Sequence, residues 1–471
     1  MKLGELPAES ASEALAELEG LLGTGAVLVP GRDDIVRYEQ DARSGRGVAA
    51  GVIRPSDVDG VRAAVRWAAG HGARLVPQGA NSGLVGASIP DASATMMVLS
   101  LERLVQPLVI DPLDATARVG AGVRLSALNA IAAPHGLFFP IDLGADPTIG
   151  GMIATNTGGA RLLRYGDVRH NLLAIRAVIG DTDATVVNAG RGLRKDNTGL
   201  DVKQLFVGTG GAFGVVIEAV LQLHRKPKIR AAAMVALADT SGALALLAHL
   251  SAAATEVLTA FELISANALR HTLAHTGLRA PFTETSPVTV LVELACADAG
   301  RDLDGELASL LADFDDLEVL DAAFGPAEQW WEIRHRINES LRAAGVLVAF
   351  DVAVPRSSLP ALRAKALALV AERAPQAELC DFGHLGDGGV HLNVLFPSGV
   401  VASSGEALDE LRRAMYDIVA DLGGTFSAEH GLGPRNDEVA RRHRDVTTEA
   451  TVEALRQRFD PHGIFGGRAV V

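Results

Sequence analysis

Cysteine is nearly missing from these 471 residues: there are two, Cys296 and Cys380, and no CxxC pair. That excludes a disulfide framework and a Cys-type zinc or redox centre, and leaves two reduced thiols as the expected state. Aromatic residues make up 4%, too few for stacking platforms along single-stranded nucleic acid. An excess of positive charge is missing too: 43 Lys and Arg against 57 Asp and Glu give a formal charge of −14. Such a chain has neither the basic field of a nucleic-acid binder nor the charge to sit on an anionic membrane. Long apolar runs are also lacking. The longest weakly polar stretch, residues 240–255, is mostly Ala and contains His249. It falls short of the roughly 20 strongly apolar residues that a membrane span needs. Residues 1–22 place Glu5, Glu9, Glu13, Glu17 and Glu19 in an otherwise apolar pattern, which reads as an amphipathic helix rather than a signal peptide. The expectation is a soluble, cytoplasmic protein without a transmembrane segment.

What the chain does have is apolar bulk and glycine: 48% hydrophobic residues and 50 glycines. The bulk can fill the cores of about three domains at roughly 100–200 residues each, so disorder is excluded as the main state. From Val52 onward short β-rich runs alternate with helical patterns. Residues 57–71 read as a helix opened by Asp57, and residues 73–77 as a strand that runs into glycine. At Arg225-Lys226-Pro227-Lys228 the composition turns richer in Ala and Leu. The expected domains are 1–226, an α+β domain over 227–425, and a closing segment over 426–471.

Four glycine-rich segments compete as anion sites: residues 77–86, 119–122, 142–159 and 207–214. Glycines let successive backbone amides turn inward around a phosphate, but each segment alone is equally a structural turn. Residues 119–122 and 207–214 look like the dinucleotide fingerprint GxGxxG. The first lacks its third glycine. The second has basic residues from Arg225 to Arg230 where an acid is required, which disfavours a nicotinamide cofactor.

Further on, Gly383-His384-Leu385-Gly386-Asp387-Gly388-Gly389-Val390-His391-Leu392-Asn393 combines histidines with glycine turns. His391 and Asn393 share one face of a strand, and a glycine turn can fold His384 back beside His391. Glu429 and His430 come about 40 residues later. Two imidazoles and a carboxylate suffice for a divalent site with an open position, and hydrogen-bonded loop histidines explain the same spacing. In the helical pattern around Trp330-Trp331, Arg334 and Asn338 stand at i,i+4. They are either a carboxylate clamp or part of a solvated face.

Residues 77–90, residues 149–159 with Arg164-Tyr165-Gly166, and Lys195-Asp196-Asn197-Thr198-Gly199-Leu200-Asp201 together resemble the flavin-binding domain of vanillyl-alcohol-oxidase-type flavoproteins. Within that superfamily the chain is most similar to the FAD-binding D-2-hydroxyacid dehydrogenases, the D-lactate and D-2-hydroxyglutarate type, from about residue 45 to the end. The resemblance implies an α+β fold: a two-part FAD domain, an α+β cap domain with an antiparallel sheet, and a C-terminal return segment. It implies that Pro77, Gln78, Gly79, Ala80, Asn81, Ser82, Gly83 and Leu84 hold the FAD pyrophosphate by backbone donors. Asp142, Gly150, Gly151, Ala154, Thr155, Asn156, Gly158, Gly159, Tyr165 and Gly166 would lie along the flavin and ribityl chain, with Val215 and Ile217 toward the adenine. No His or Cys stands in these loops, so the FAD is expected to be non-covalent. The family's usual Ser-Glu-Gly-Thr is replaced by Thr209-Gly210-Gly211-Ala212, and the Asn-Pro that follows Asp460-Pro461-His462-Gly463-Ile464-Phe465 in relatives is replaced by Gly466-Gly467.

By the same resemblance His384, His391 and Glu429 bind zinc or a similar cation such as manganese. Asn393 touches substrate, His430 takes the hydroxyl proton, and Arg334 binds the substrate carboxylate. Relatives that act on hydroxyglutarate carry Thr at the position of Asn338 and Lys at that of Ala349 to hold the far carboxylate. The missing Lys favours D-lactate or a longer apolar D-2-hydroxy acid over D-2-hydroxyglutarate. The implied reaction is oxidation of a D-2-hydroxy acid to the 2-oxo acid, with quinone, cytochrome, electron-transfer flavoprotein or oxygen as the acceptor. A homodimer is the default assembly. The competing readings are a flavin enzyme of another hydroxylated compound, such as an aldonolactone or aromatic alcohol, and a non-catalytic FAD-binding subunit of a glycolate-oxidase-type complex.

Overall fold

The computed structural model describes residues 8–43, 45–314, 319–400 and 405–466. Glu5 of the N-terminal helix and Gly467 of the C-terminal motif lie outside them. The chain forms two compact units. The first gathers Asp167–Arg225 with the described parts of Met1–Thr157 and Glu429–Val471; the second takes Gly158–Gly166 and the described parts of Lys226–Ala428.

In the first unit a small sheet runs in the order Val27–Leu28, Ala49–Ile53, Met96–Ser100, Arg74–Gln78, with the last three strands parallel. Every residue of Met96–Ser100 is buried, as a parallel strand covered on both faces requires. Helix Val58–His71 begins where Asp57 accepts a hydrogen bond from the Gly60 amide and ends at Gly72 in the left-handed conformation. Its Val61, Ala64, Val65 and Ala68 enter the same apolar core as Leu75, Met97 and Leu99. The sheet is extended from the far end of the chain. The Leu75 amide donates to the Ile464 carbonyl at 2.6 Å and the Gly466 amide to the Leu75 carbonyl at 2.8 Å. Asp460 fixes that segment by accepting from the amides of Ile464 and Phe465 at 2.8 and 3.0 Å. A second, antiparallel sheet follows the order Leu108–Asp111, Thr116–Gly120, Val215–Gln222, Leu172–Val178, Val186–Ala189.

The second unit is built on one antiparallel sheet: Val319–Gly325, Ile229–Leu237, Val288–Cys296, Leu258–Ser265, Phe382–Gly383, Gly389–Pro397, Gly345–Ala353. Helix Ala327–Ala344 packs on it through Trp330, Trp331, Ile333, Ile337 and Leu341, which share a core with Ile264, Phe382 and Leu395. Gly158–Gly166 joins this unit although its sequence groups with the flavin loops: Arg164 Nη1 donates to the Ala295 carbonyl at 2.5 Å. Mixed helices and antiparallel sheets agree with the expected α+β class. No helix among the described residues is long and apolar enough to cross a membrane.

Candidate functional site

The four glycine-rich segments separate by what their amides do. Gly120 and Gly122 donate to the carbonyls of Pro107 and Leu104, and Gly208 and Gly210 to those of Ile153 and Ala154. These four amides are consumed by the fold. Helix Ile149–Thr155 spends its first amides likewise, Ile149 on Val123 and Gly150 on Ala121. The loop after strand Arg74–Gln78 differs. Among the described residues the amides of Gly79, Ala80, Asn81, Ser82, Gly83 and Leu84 have no acceptor. The loop's side chains are the parts that hold its shape. Gln78 Nε2 donates to the carbonyls of Tyr38 and Ser88 at 2.9 and 2.7 Å. Asn81, at φ +54, donates to those of Arg37 and Gln40. Gly79 must be glycine, because a Cβ there would overlap Thr148 Oγ1 and lie 3.6 Å from the Gly151 Cα. A run of unpartnered amides at the carboxyl end of a parallel strand fits a pyrophosphate.

The other residues expected at the flavin have varied surroundings. Asn156 ends its helix in the left-handed conformation, with its side chain bonded to Asp167 Oδ2 at 2.8 Å and accepting from the Arg169 amide at 3.0 Å. The Thr155 hydroxyl donates back to the Gly151 carbonyl at 3.1 Å. Val215 and Ile217 are buried in the apolar core, and the Ile217 carbonyl accepts from the Ala121 amide at 3.0 Å. Tyr165 is buried in the second unit under the Arg164 guanidinium. Asp142 is half-buried.

In the second unit a polar cluster is set by strand register. Phe382 and Asp351 both pair with His391, and Ala349 pairs with Asn393. Leu263 pairs with Gly383 and Ile264 with Phe382, so the next rung sets Glu262 opposite His384. The turn after His384 closes with the Asp387 and Gly388 amides on its carbonyl. Gly388, at φ +94 and packed against the Val354 carbonyl, permits it. The rings of His384 and His391 then lie 5.8 Å apart at their centroids. His391 Nδ1 is 3.6 Å from Asp351 Oδ1.

Arg334 occupies a core-facing position on its helix and is buried. A buried guanidinium needs a buried partner, which is Glu262: Arg334 Nε donates to Oε2 at 2.7 Å, and His384 Nδ1 lies 2.6 Å from Oε1. Burial by itself would push the Glu262 carboxyl up. The charges of His384 and Arg334 outweigh that and hold it down at about 2. The guanidinium also lies 4.8 Å over the Phe382 ring, and its two Nη groups have no hydrogen-bond partner among the described residues. Sequence reasoning missed Glu262. Its signal was a lone acid in the otherwise apolar and neutral strand Leu258–Ser265.

Asn393 is buried and donates to the His391 carbonyl at 3.3 Å. Asn338 is exposed, because Ile337 and Leu341 fill the inner face of the helix beyond Arg334. Arg336 also points outward, paired with Glu339 at 3.2 Å. Ala428 ends the second unit, its amide on the Asp351 carbonyl at 3.2 Å, and Glu429 and His430 follow it in the chain. Two imidazoles and a carboxylate are a donor set suited to a divalent cation.

Two family models match the chain: an FAD binding domain over residues 49–190, and the C-terminal domain of FAD linked oxidases over residues 226–469. A D-2-hydroxyglutarate dehydrogenase of Xanthomonas citri pv. viticola is 34% identical over 87% of this chain and 87% of its own. A D-2-hydroxyglutarate–pyruvate transhydrogenase of Saccharomyces cerevisiae is 27% identical over 96% of this chain and 93% of its own. Among solved structures, a 4-ethylphenol oxidase from Gulosibacter chungangensis superposes with a TM-score of 0.71 at 17% identity, covering 99% of this chain and 98% of that one. At that identity the likeness speaks for the fold.

Proposed function

Because the chain belongs to the FAD-linked oxidases and, within them, to the FAD-dependent D-2-hydroxyacid dehydrogenases, we propose that its substrate is a D-2-hydroxy acid with a single carboxylate, D-lactate or a longer apolar homologue. The observation that carries this reading is the buried Arg334 beside the paired histidines: its Nε is held by Glu262 and its two Nη groups have no protein partner among the described residues. Such a fork takes a carboxylate bidentately. Each charge-assisted hydrogen bond is worth about 1.5–3 kcal/mol.

Around that clamp the roles divide by chemistry. Asn393, buried on the strand face that carries His391, orients the substrate. His430 takes the hydroxyl proton, a task for a neutral imidazole. His384, His391 and Glu429 would hold a divalent cation, zinc or manganese, whose contribution is to lower the hydroxyl pKa. The chemistry supplied by bound FAD, cradled by the amides of residues 79–84, is acceptance of the Cα hydride.

The single-carboxylate preference is supported by the ladder. Ala349 stands directly opposite Asn393, so the position that carries Lys in the hydroxyglutarate enzymes holds a methyl group here. Arg336 does not replace it, since it is exposed and paired to Glu339. Anaerobic titration of the flavin absorbance tests the reading. D-Lactate should bleach the oxidised band, L-lactate should not, and D-2-hydroxyglutarate should do so more slowly. Faster bleaching by D-2-hydroxyglutarate would overturn the substrate preference, and no bleaching by either D acid would overturn the reaction class.

A further inference from the structure

We infer that Glu262 is a positioning residue for both halves of this site: one buried carboxylate orients the imidazole that would ligate the cation and the guanidinium that clamps the substrate. The inference rests on the reading above. Three observations carry it. Glu262 splits its oxygens, Oε1 to His384 Nδ1 at 2.6 Å and Oε2 to Arg334 Nε at 2.7 Å, where an ion pair alone needs only the guanidinium. It is buried, with Phe261 and Leu263 buried on either side, so the carboxylate is held by the sheet. Two other buried acids of this unit do something else. Asp381 binds Arg363 Nε at 2.7 Å, and Glu293 binds the Trp331 indole at 2.7 Å and Arg230 at 3.4 Å.

The consequence for His384 is a fixed tautomer. An Nδ1–H donating to Glu262 leaves Nε2 as the ligating nitrogen and raises its basicity. For Arg334 the consequence is a fixed rotation. With Nε committed to Oε2, the edge carrying the two Nη atoms is the one presented to substrate.

The test uses the full-length, FAD-loaded protein and its Glu262→Gln variant. The amide keeps the shape but carries no charge and accepts through one atom only, so one of the two donors loses its partner and the other keeps only a neutral hydrogen bond. Zinc affinity, measured by competition with a chelator without substrate, should fall about 10–100-fold. KM for D-lactate should rise over a similar range, and the flavin spectrum should be unchanged. A variant that melts earlier but keeps wild-type zinc affinity and KM would reduce Glu262 to a structural ion pair. If wild-type protein takes up no zinc and His391→Ala keeps full turnover, the metal reading itself fails, a result separate from the first. Should Glu262→Gln not fold, 15N shifts of the His384 ring in zinc-loaded wild-type protein decide, with the signal assigned by its loss in His384→Gln. Nδ1 protonation is expected, and Nε2 protonation would overturn the inference.

Discussion

Replacing Gly79 by alanine should cost the protein most of its flavin. A Cβ at residue 79 would lie inside the closest approach that side chains tolerate to Thr148 Oγ1, with the Thr148 Cβ at 3.5 Å and the Gly151 Cα at 3.6 Å behind it. Thr148 cannot swing aside freely, because its Oγ1 accepts from the Gly151 amide at 3.3 Å as the cap of helix Ile149–Thr155. The loop must therefore move, and the amides it moves are those of residues 79–84. Displacing two of them from the pyrophosphate, at about 1.5–3 kcal/mol per charge-assisted hydrogen bond, costs about 3–6 kcal/mol. That weakens FAD binding by about 10²- to 10⁴-fold. The assay is titration of FAD into apo-protein, followed by quenching of flavin fluorescence. Thr148→Ala removes the obstructing oxygen at a cost of about 1 kcal/mol in helix capping. The double variant should therefore bind FAD better than Gly79→Ala alone. A Gly79→Ala protein with wild-type FAD affinity, or a double variant worse than both singles, would refute the steric account of the loop.

Arg334→Lys keeps a cation at the site but loses the planar fork, so KM for the 2-hydroxy acid should rise about 10–100-fold with the flavin spectrum unchanged. Ala349→Lys places a charge opposite Asn393 and should shift the ratio of kcat/KM toward D-2-hydroxyglutarate by about 10–100-fold in steady-state assays. The Cys380 thiol is pushed up to about 12 by burial, with Glu378 and Asp381 adding to the shift. The thiolate is disfavoured in the folded state, so iodoacetamide at pH 8 should label the half-buried Cys296 and spare Cys380 until the protein is denatured, as read by mass spectrometry. Gly70 is exposed inside helix Val58–His71 with open space at its Cβ position, so Gly70→Ala should stabilise by about 0.5–1 kcal/mol in thermal melts. Gly72→Ala, at φ +57, should do the opposite.

The strands, the helices and the D-2-hydroxyacid dehydrogenase resemblance were legible because their signals are local. Asp57 opens its helix with a side-chain bond that spacing foretells, and the turn after His384 is written in its glycines. The use of each glycine segment was not legible. Gly79 and Gly120 look alike in sequence, and only tertiary hydrogen bonding shows that the second spends its amide on Pro107. Glu262 was missed for a related reason. An acid within a strand declares itself only when its partners, far off in sequence, are known, although Arg334 on the buried stripe of its own helix already demanded one. Asn338 shows the limit of i,i+4 reasoning: four residues advance about 400°, and the drift suffices to leave it in solvent while Arg334 is buried. The membership of Gly158–Gly166 in the second unit has no local signal.

The pairing of Leu75 with Ile464 and Phe465 gives this protein a timetable. Translation at about 5–20 residues per second separates the two partners by on the order of 20–80 s. Throughout that interval the strand Arg74–Gln78 exists on the nascent chain with one edge uncovered, next to the loop destined for the pyrophosphate. Exposed strand edges recruit other strands. Residues 464–466 thus act as a late-made cover for the edge of that sheet, and nicking the chain near Asp460 should raise aggregation before it lowers turnover.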